Sequence, residues 1–376
     1  MNIIFRGIAI TALWLLPASW PEPILAAAPM PSANPDPTGP VPLRSGLRLV
    51  DIQVHDPWIL AEKSTHTYYL YTSASAAATG QNRGGTFMYK SPDLLTWEGP
   101  YTVFVCPDGS WADPPQRAWA PEVHPYRGKY YLLTTLHNPD KPLPKQNLDP
   151  PRPNFMRSTI IAVSDSPAGP FRILKLDAPT APPNFMTIDG TLFIENGKPW
   201  MVYVHEWVQK GDGTMEALPL TEDLSAAAGD PIHLFKASDA PWINERTVPD
   251  ARVFNDVTDG PEMFRTRTGE LLMLWSSYER MPGNRESYVE TVARSRSGQL
   301  LGPWEQLPPL VRNDSGHGML FHSFDGKLLL VVLQPFEDSR SKIYEVEDMG
   351  DRLRIVRYRE DLSGPALGPQ PGRVRN

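Results

Sequence analysis

Apolar and polar positions along this chain alternate in short runs that are separated by turn residues, and long helical periodicity is nearly absent. Such runs predict β-strands joined by tight turns. One pattern recurs: a polar or charged start, a short apolar strand, a turn with Gly, Asn or Asp, and a second apolar strand that ends in polar residues. Its five copies begin at Asp56, Ala120, Asp189, Asp259 and Gly316.

The spacing of these copies predicts the fold class. Four of them carry a glycine at the hairpin turn, in Arg127-Gly128-Lys129, Asn196-Gly197-Lys198, Thr268-Gly269-Glu270 and Asp325-Gly326-Lys327. A second hairpin follows in most copies, so a unit of about four strands recurs every ~60 residues. This is typical of an all-β, five-bladed β-propeller with four antiparallel strands per blade. The alternative is a pair of β-sandwiches, but sandwiches do not repeat one hairpin at this period.

Both ends of the sequence differ in composition from the repeat. Residues 1–28 contain Arg6, an apolar run over 8–16 and small residues over 26–28, which is the layout of a secretory signal peptide. The apolar run is too short to span a bilayer, and an uncleaved anchor is the alternative. We expect a proline-rich linker over 29–46, the propeller over 47–364, and a disordered tail over 365–376. The chain would then be exported to the periplasm or the medium.

The net charge, the cysteine count and the distribution of basic residues limit the kinds of ligand and partner that the protein can bind. The formal net charge is −7 and Cys106 is the single cysteine of 376 residues, so an intramolecular disulfide and a thiolate zinc site are both excluded. Lys and Arg are scattered, without the basic stripe of a nucleic-acid-binding protein. We expect no nucleic-acid partner, no membrane span and a monomer.

Three aspartates begin three of the repeated strands, namely Asp56, Asp189 and Asp259. In a propeller the first strand of each blade lines the central channel, so these side chains would converge at one mouth of it. Like charges and burial both raise the pKa of a carboxyl group, which favours acid–base chemistry. The alternative for each aspartate is a simple turn cap.

At five places the residues resemble glycoside hydrolase family 43. The matching motifs are HDPWI (55–59), WAPEVHPYRGKYYL (119–132), IDGTLF (188–193), DGPEMF (259–264) and GHGMLF (316–321). This resemblance implies a five-bladed propeller that cleaves arabinose- and xylose-containing polysaccharides with inversion of configuration.

The resemblance also implies roles for individual residues. Asp56 matches the general base, and Asp189 matches the carboxylate that tunes the pKa of the acid and orients it. Asp259 stands where the family usually has the glutamate that acts as general acid. His317 matches a channel histidine that often binds a water or a calcium ion; no other cofactor is implied. Gln334 departs from the histidine that the family often has there.

Other residues could complete the site. Asp is one methylene shorter than Glu, so Glu206 and Glu262 are alternative acids, although strand alternation turns Glu262 away from the wall that Asp259 faces. Trp119 is the best candidate for stacking against a sugar face. The candidate substrate-binding residues are His55, Trp119, Glu122, Glu206 and His317.

The sequence thus predicts an exported, inverting glycosidase that acts on an oligo- or polysaccharide, with α-L-arabinofuranosyl linkages of plant polysaccharide as the first substrate class. β-Xylosides are the alternative within the same chemistry. A propeller that binds carbohydrate without catalysis is the alternative from another class, supported by Asp259, and an enzyme acting on fructans or algal galactans is a third. A proline-rich loop over 138–155 would form part of the rim, and the sequence leaves exo and endo action open.

Overall fold

A computed structural model describes residues 37–144, 153–243, 256–283 and 285–374. The described residues all belong to one compact unit, Ser32–Asn376. The predicted signal peptide, residues 29–36 of the predicted linker and residues 145–152 of the proline-rich loop lie outside the described residues. No helix among the described residues is long and apolar enough to cross a membrane.

The strands form five antiparallel sheets that follow one another along the chain. Blade 1 holds β1–β5: Arg44–Leu47, Trp58–Glu62, Thr67–Ala74, Gly85–Ser91 and Trp97–Val105. Blade 2 holds β6–β9: Trp119–Tyr126, Lys129–Pro142, Phe155–Ser164 and Arg172–Ile173. Blade 3 holds β10–β13: Thr187–Glu195, Lys198–His205, Thr214–Pro219 and Ile232–Lys236.

The remaining strands complete the ring. Blade 4 holds β14–β17: Asp259–Arg265, Leu271–Met281, Arg285–Ser295 and Trp304–Gln306. Blade 5 holds β18–β21: Gly316–His322, Leu328–Gln334, Arg340–Asp348 and Leu353–Tyr358. A last strand, β22 (Arg373–Val374), pairs with β16 of blade 4. The described helices are single turns: α1 (Ala76–Thr79), α2 (Trp207–Lys210), α3 (Glu360–Ser363), and 3₁₀ turns at Leu49–Asp51 and Ala237–Asp239.

This architecture confirms the predicted five-bladed β-propeller with four antiparallel strands per blade. The turn chemistry also agrees, since Gly128 has a φ of 76°, the left-handed value that a tight hairpin requires and glycine adopts without strain. Two blades carry an extra strand: β1 pairs with β5 in blade 1, and β22 joins blade 4.

The core lies between the sheets, because the inner strands are covered on both faces. Every residue of β19 is buried, which explains its continuous apolar sequence from Leu328 to Leu333. Blade 5 meets blade 1 through side chains and loop backbone. The backbone N–H of Phe324 donates to Tyr68 Oη at 2.7 Å, and the two rings stack with centroids 4.1 Å apart. The Ser339 hydroxyl and the backbone N–H of Val54 add bonds across the same junction.

The end of the described chain differs from what its composition predicts. Residues 365–376 contain several prolines and glycines, which predict a disordered tail, but Arg373–Val374 forms β22 against β16. The pairing is possible because β16 is longer than β17 and leaves its first residues without a neighbour on that side.

Candidate active site

One backbone feature recurs at the start of the innermost strand of every blade. Five residues there adopt the left-handed conformation: Asp56 (φ 55°), Ala120 (43°), Asp189 (53°), Gly260 (50°) and His317 (47°). In blades 2 to 5 the pairing register shifts at this point, as in a β-bulge. Asp, His and Gly are among the residues that tolerate this conformation. Four of these five positions, Asp56, Ala120, Gly260 and His317, line one small pocket in the central channel.

The fivefold comparison corrects one prediction. Gly260, not Asp259, is the residue of blade 4 equivalent to Asp56 and Asp189, so Asp259 stands one position earlier. Gly260 has no room for a side chain, because a Cβ atom there would lie 2.8 Å from the ring of His317. Asp259 nevertheless reaches the same site, where its charge interacts with those of Asp56 and Asp189.

Asp56 lies between two imidazole rings. Its Oδ1 is 2.7 Å from Nδ1 of His55 and 3.1 Å from Nδ1 of His317. Burial by itself would raise the pKa of Asp56, but His317, the bonded His55 and a bond from the backbone of Ala120 together lower it to about 2. Asp56 is therefore ionised at neutral pH and accepts hydrogen bonds, so each ring carries its proton on Nδ1 when it donates to this carboxylate.

The charge of Asp189 interacts with those of both Asp56 and Asp259. Its Oδ2 accepts a bond from the backbone N–H of Gly260 at 3.2 Å and lies 3.9 Å from Nδ1 of His317. Burial raises the pKa of Asp189 to about 7, with a further contribution from the negative charge of Asp56; His317 and the Gly260 bond act in the opposite direction.

Asp259 has the opposite protonation preference to Asp56. Enclosure in the protein raises its pKa well above the ordinary value, and the charges of Asp189, Asp56 and Glu206 raise it further. The hydroxyl of Tyr288 donates to Asp259 Oδ2 at 3.0 Å and opposes the rise. The protein thus favours the protonated form of Asp259, whereas it favours the ionised form of Asp56.

Two other predicted residues form a cluster beside these aspartates. Glu206 Oε1 is 2.5 Å from Nη1 of Arg157, and both side chains are buried. The guanidinium of Arg157 lies 4.5 Å from the ring of Trp119, which also packs edge-on against His137. A carboxylate paired with a guanidinium has no proton to donate, so Glu206 is poorly suited to be the acid. Trp119 is partly exposed, as a stacking residue requires.

Glu122 lines the same small pocket as Asp56 and His317, whereas Glu262 is not among the residues that line it. Glu122 Oε2 is 2.9 Å from Nε2 of His124, and burial raises the pKa of Glu122 well above its ordinary value. Glu262 is also buried, and its pKa is raised by burial and by the charges of Glu122 and Glu290. Asp259 is not among the charges that act on Glu262, which makes Glu262 a weak candidate for the acid.

Sequence reasoning missed three residues that support the site. Tyr288 donates to Asp259, and Arg157 pairs with Glu206. The third is Glu290, whose Oε2 accepts from the backbone N–H of Gly318 at 2.7 Å and from the Ser276 hydroxyl at 2.8 Å, which fixes the turn at His317. Alternation along β16 places Tyr288 and Glu290 on one face, and two polar groups on one face of a buried strand are the signal that could have found them.

A calcium ion at His317 stays a prediction. Among the residues that the structure describes, no group of three or more His, Cys, Asp or Glu side chains is arranged to hold a metal ion. His317 instead faces Asp56 and Asp189 through Nδ1.

A carboxyl group whose pKa is lowered and one whose pKa is raised, with interacting charges in the channel of a propeller, are the pair that a glycoside hydrolase site requires. The family model for glycosyl hydrolases family 43 matches residues 49–357, and the chain belongs to this family. The predicted family resemblance is thereby confirmed.

Solved structures agree with this assignment. An endo-arabinase from Bacteroides thetaiotaomicron VPI-5482 is 35% identical, with a TM-score of 0.68 over 81% of this chain and 98% of that one. A thermostable family-43 glycoside hydrolase is 23% identical, with a TM-score of 0.61 over 90% and 99% of the two chains. An endo-1,4-beta-xylanase from the same Bacteroides strain is 20% identical, with a TM-score of 0.60 over 81% and 94%. A search among curated proteins gave no match.

Proposed function

We propose that this glycoside hydrolase cleaves α-L-arabinofuranosyl linkages with inversion of configuration. The observation that carries the mechanism is the opposite pKa shift of two carboxyl groups whose charges interact: Asp56, whose pKa is lowered to about 2, and Asp259, whose pKa is raised well above its ordinary value. The substrate class is supported by the 35% identity to a protein described as an endo-arabinase.

In this mechanism Asp56 is the general base. Its Oδ1, oriented by His55 and His317, accepts a proton from the water that attacks the anomeric carbon. Asp259 is the general acid and gives its proton to the departing glycosidic oxygen, while the Tyr288 hydroxyl bonded to it stabilises the carboxylate that results. Inverting enzymes hold their two carboxyl groups roughly 6.5–9.5 Å apart, so that the water fits between the base and the sugar.

Asp189 assists both groups without forming a bond to the substrate in this scheme. Its negative charge makes loss of the proton from Asp259 harder before the reaction, because like charges repel. Its bond from the N–H of Gly260 ties it to the turn that follows Asp259. In this scheme Trp119 and Arg157, which pack against each other, form one side of the sugar site, with the indole ring as the apolar surface.

The first test is turnover of the mature protein on aryl α-L-arabinofuranosides and aryl β-D-xylosides, with arabinan and xylan beside them. Arabinofuranoside cleavage in which the first product has the opposite anomeric configuration, followed by proton NMR, is the expected result. A product that retains its configuration would contradict the roles of both aspartates. Cleavage of xylosides alone would favour the second substrate class, for which the fold likeness to a xylanase gives no direct support at 20% identity.

The second test separates the base from the acid. Asp56→Asn removes the group that accepts the proton of water in this scheme, so we expect a loss of about 10²-fold or more on every substrate. Asp259→Asn should lose a similar factor on substrates whose leaving group needs a proton, and much less on a 2,4-dinitrophenyl glycoside, whose phenolate leaves without one. Asp325→Asn, in an exposed hairpin turn, is the matched control and should behave as the wild type. Equal losses for Asp259→Asn on both kinds of leaving group would move the acid elsewhere.

We also propose that the protein is exported and acts as a monomer. The signal-peptide pattern of residues 1–28 supports export, and one chain supplies every residue of the proposed site. N-terminal sequencing of the protein recovered from the medium or periplasm, and light scattering of the purified protein, test these two proposals. An N-terminus at Met1 or a stable dimer would contradict them.

A further inference from the structure

The last described segment of the chain, residues 368–374 (the strap), crosses the turn end of the β15–β16 hairpin. The backbone of Arg373 pairs with that of Glu286, and Nη2 of Arg285 donates to the carbonyl of Gly372 at 2.6 Å. This hairpin extends past the site, because Asp259 pairs with Ser276, well before the hairpin turn. The strap therefore lies on the channel-mouth side of blade 4.

A second attachment holds the strap to the loop before His317. Nδ2 of Asn313 donates to the carbonyl of Gly368 at 3.1 Å, and the backbone N–H of Gln370 donates to Oδ1 of Asn313 at 2.5 Å. Nε2 of Gln334 donates to the carbonyl of Asn313 at 2.8 Å. The strap is thus bonded at both ends to elements that adjoin the site.

Arg373 is the strap residue whose side chain contacts blade 4, although that side chain stays 42% exposed. Its guanidinium carbon lies 3.7 Å from the centroid of the Tyr278 ring, a cation–π contact, and its Nε is 2.7 Å from Oε1 of Glu286. The other oxygen of Glu286 accepts from Nη1 of Arg280 at 2.5 Å. Two arginines therefore share one buried carboxylate, which fixes the plane of the Arg373 guanidinium over the ring.

Tyr278 packs between Arg373 and Tyr288, the residue that donates a hydrogen bond to the proposed acid. The rings of Tyr278 and Tyr288 have centroids 5.0 Å apart, and Phe336 packs against both. The hydroxyl of Tyr288 donates to Asp259. A continuous set of packed groups thus joins the strap to the carboxyl group of Asp259.

We propose that Arg373 is a positioning residue for the general acid: by holding Tyr278 against Tyr288, it fixes the hydroxyl that orients Asp259. This inference rests on the proposed role of Asp259. It assigns a part in the reaction to a segment whose composition predicts disorder. Arg373 itself donates no proton and forms no bond to the reacting atoms.

The test compares leaving groups. We expect Arg373→Ala to lower kcat about tenfold on glycosides whose leaving group needs a proton, a part of the ~10²–10⁴-fold effect that a general acid supplies. On the 2,4-dinitrophenyl glycoside kcat should change less than twofold, and KM should change little on either. Arg373→Lys keeps the positive charge opposite Glu286 but has no planar group to stack, so an intermediate loss is expected.

Arg312→Ala is the matched control. Arg312 forms an ion pair with Glu279, the residue after Tyr278, at 2.8 Å, and makes no contact with the Tyr278 ring in the described structure. It should behave as the wild type. Equal losses of Arg373→Ala on both leaving groups, or a rise in KM alone, would overturn the inference, because they would indicate a general effect on folding or on substrate binding.

A measurement that does not depend on catalytic activity separates this inference from the proposed function. Amide hydrogen exchange of the peptide that contains Tyr288 should become faster in Arg373→Ala and stay unchanged in Arg312→Ala. Unchanged exchange in both variants would overturn the coupling even in an active enzyme. A wild type inactive on every glycoside would instead overturn the proposed function, and the exchange data would still decide whether the strap controls Tyr288.

Discussion

Asp189 shows how the charge of one residue can set the working range of another. Base and acid work only between their two pKa values: Asp56 must be ionised, which holds above about pH 2, and Asp259 must be protonated, which holds below its raised pKa. Asp189 itself loses its proton near pH 7. Above that pH the negative charge of Asp189 disfavours ionisation of Asp259, which keeps the acid protonated to higher pH.

Replacing Asp189 tests this electrostatic role. In Asp189→Asn the negative charge is gone, so the pKa of Asp259 falls and the alkaline limb of the pH profile of kcat/KM moves to lower pH. The acidic limb follows Asp56, whose pKa of about 2 places it below the measured range, so only the alkaline limb is compared. The measurement is kcat/KM from pH 4 to 10. An alkaline limb that stays in place would show that Asp189 does not act through the protonation of Asp259.

At the scale of elements, the left-handed residue that precedes or begins each inner strand, accompanied by a bulge in blades 2 to 5, does most to form the site. A bulge inserts one residue into a strand and re-aims its side chains. The first polar group after each turn signal could be predicted from the repeat, which is why Asp56 and Asp189 were found. The bulge of blade 4 could not be predicted from the repeat. For this reason the sequence did not predict that Asp259 stands one residue before the equivalent position. Arg157 and Tyr288 come from third strands, and their approach to the site depends on how neighbouring strands and blades pack.

The strand β16 contains a buried acidic residue, Glu290. Burial raises the pKa of Glu290 from 4.5 to about 8. Between these two values the unfolded chain has released the proton while the folded chain keeps it, so the free energy of unfolding falls as the pH rises through this window. The side chain still holds the turn at His317, because its Oε2 accepts two hydrogen bonds.

Glu290→Gln should therefore gain stability relative to the wild type between pH 5 and pH 8. The amide does not ionise, and its oxygen can accept the same two bonds. Urea unfolding of both proteins at the two pH values gives the comparison. Glu360→Gln, an exposed glutamate in α3, is the control and should show no such trend. A difference between Glu290→Gln and the wild type that does not change with pH would mean that Glu290 is ionised in the folded protein.

At the scale of the whole molecule, the ring is closed by contacts between side chains and loops of the first and last blades. Each blade takes its four main strands from consecutive sequence, and none is shared between blades 1 and 5. This arrangement explains why the period of the sequence predicted the blade count so directly. The sequence period carries no information about the closure, because Tyr68 and Phe324 meet only when five blades complete a circle.

Phe324→Ala tests the closure. It removes two stacked ring contacts, with Tyr68 and His66, and we expect a loss of about 1–2 kcal/mol in the free energy of unfolding. Val356→Ala, on an exposed position of β21 in the same blade, should change it by about 0.5 kcal/mol or less. Chemical denaturation measures both. Equal effects in the two variants would indicate that the junction between blades 1 and 5 adds nothing to stability.

The five left-handed positions have a consequence for how such a molecule can diversify. One backbone conformation recurs at five positions, four of which line the same pocket, and two of these, Ala120 and Gly260, contribute no ionisable group. Gly260 is constrained by the ring of His317, whereas Ala120 occupies a conformation that asparagine and aspartate adopt more readily than alanine does. A single substitution at such a position of a duplicated blade would therefore add a functional group to the pocket, and the chemistry could change while the fold stays the same.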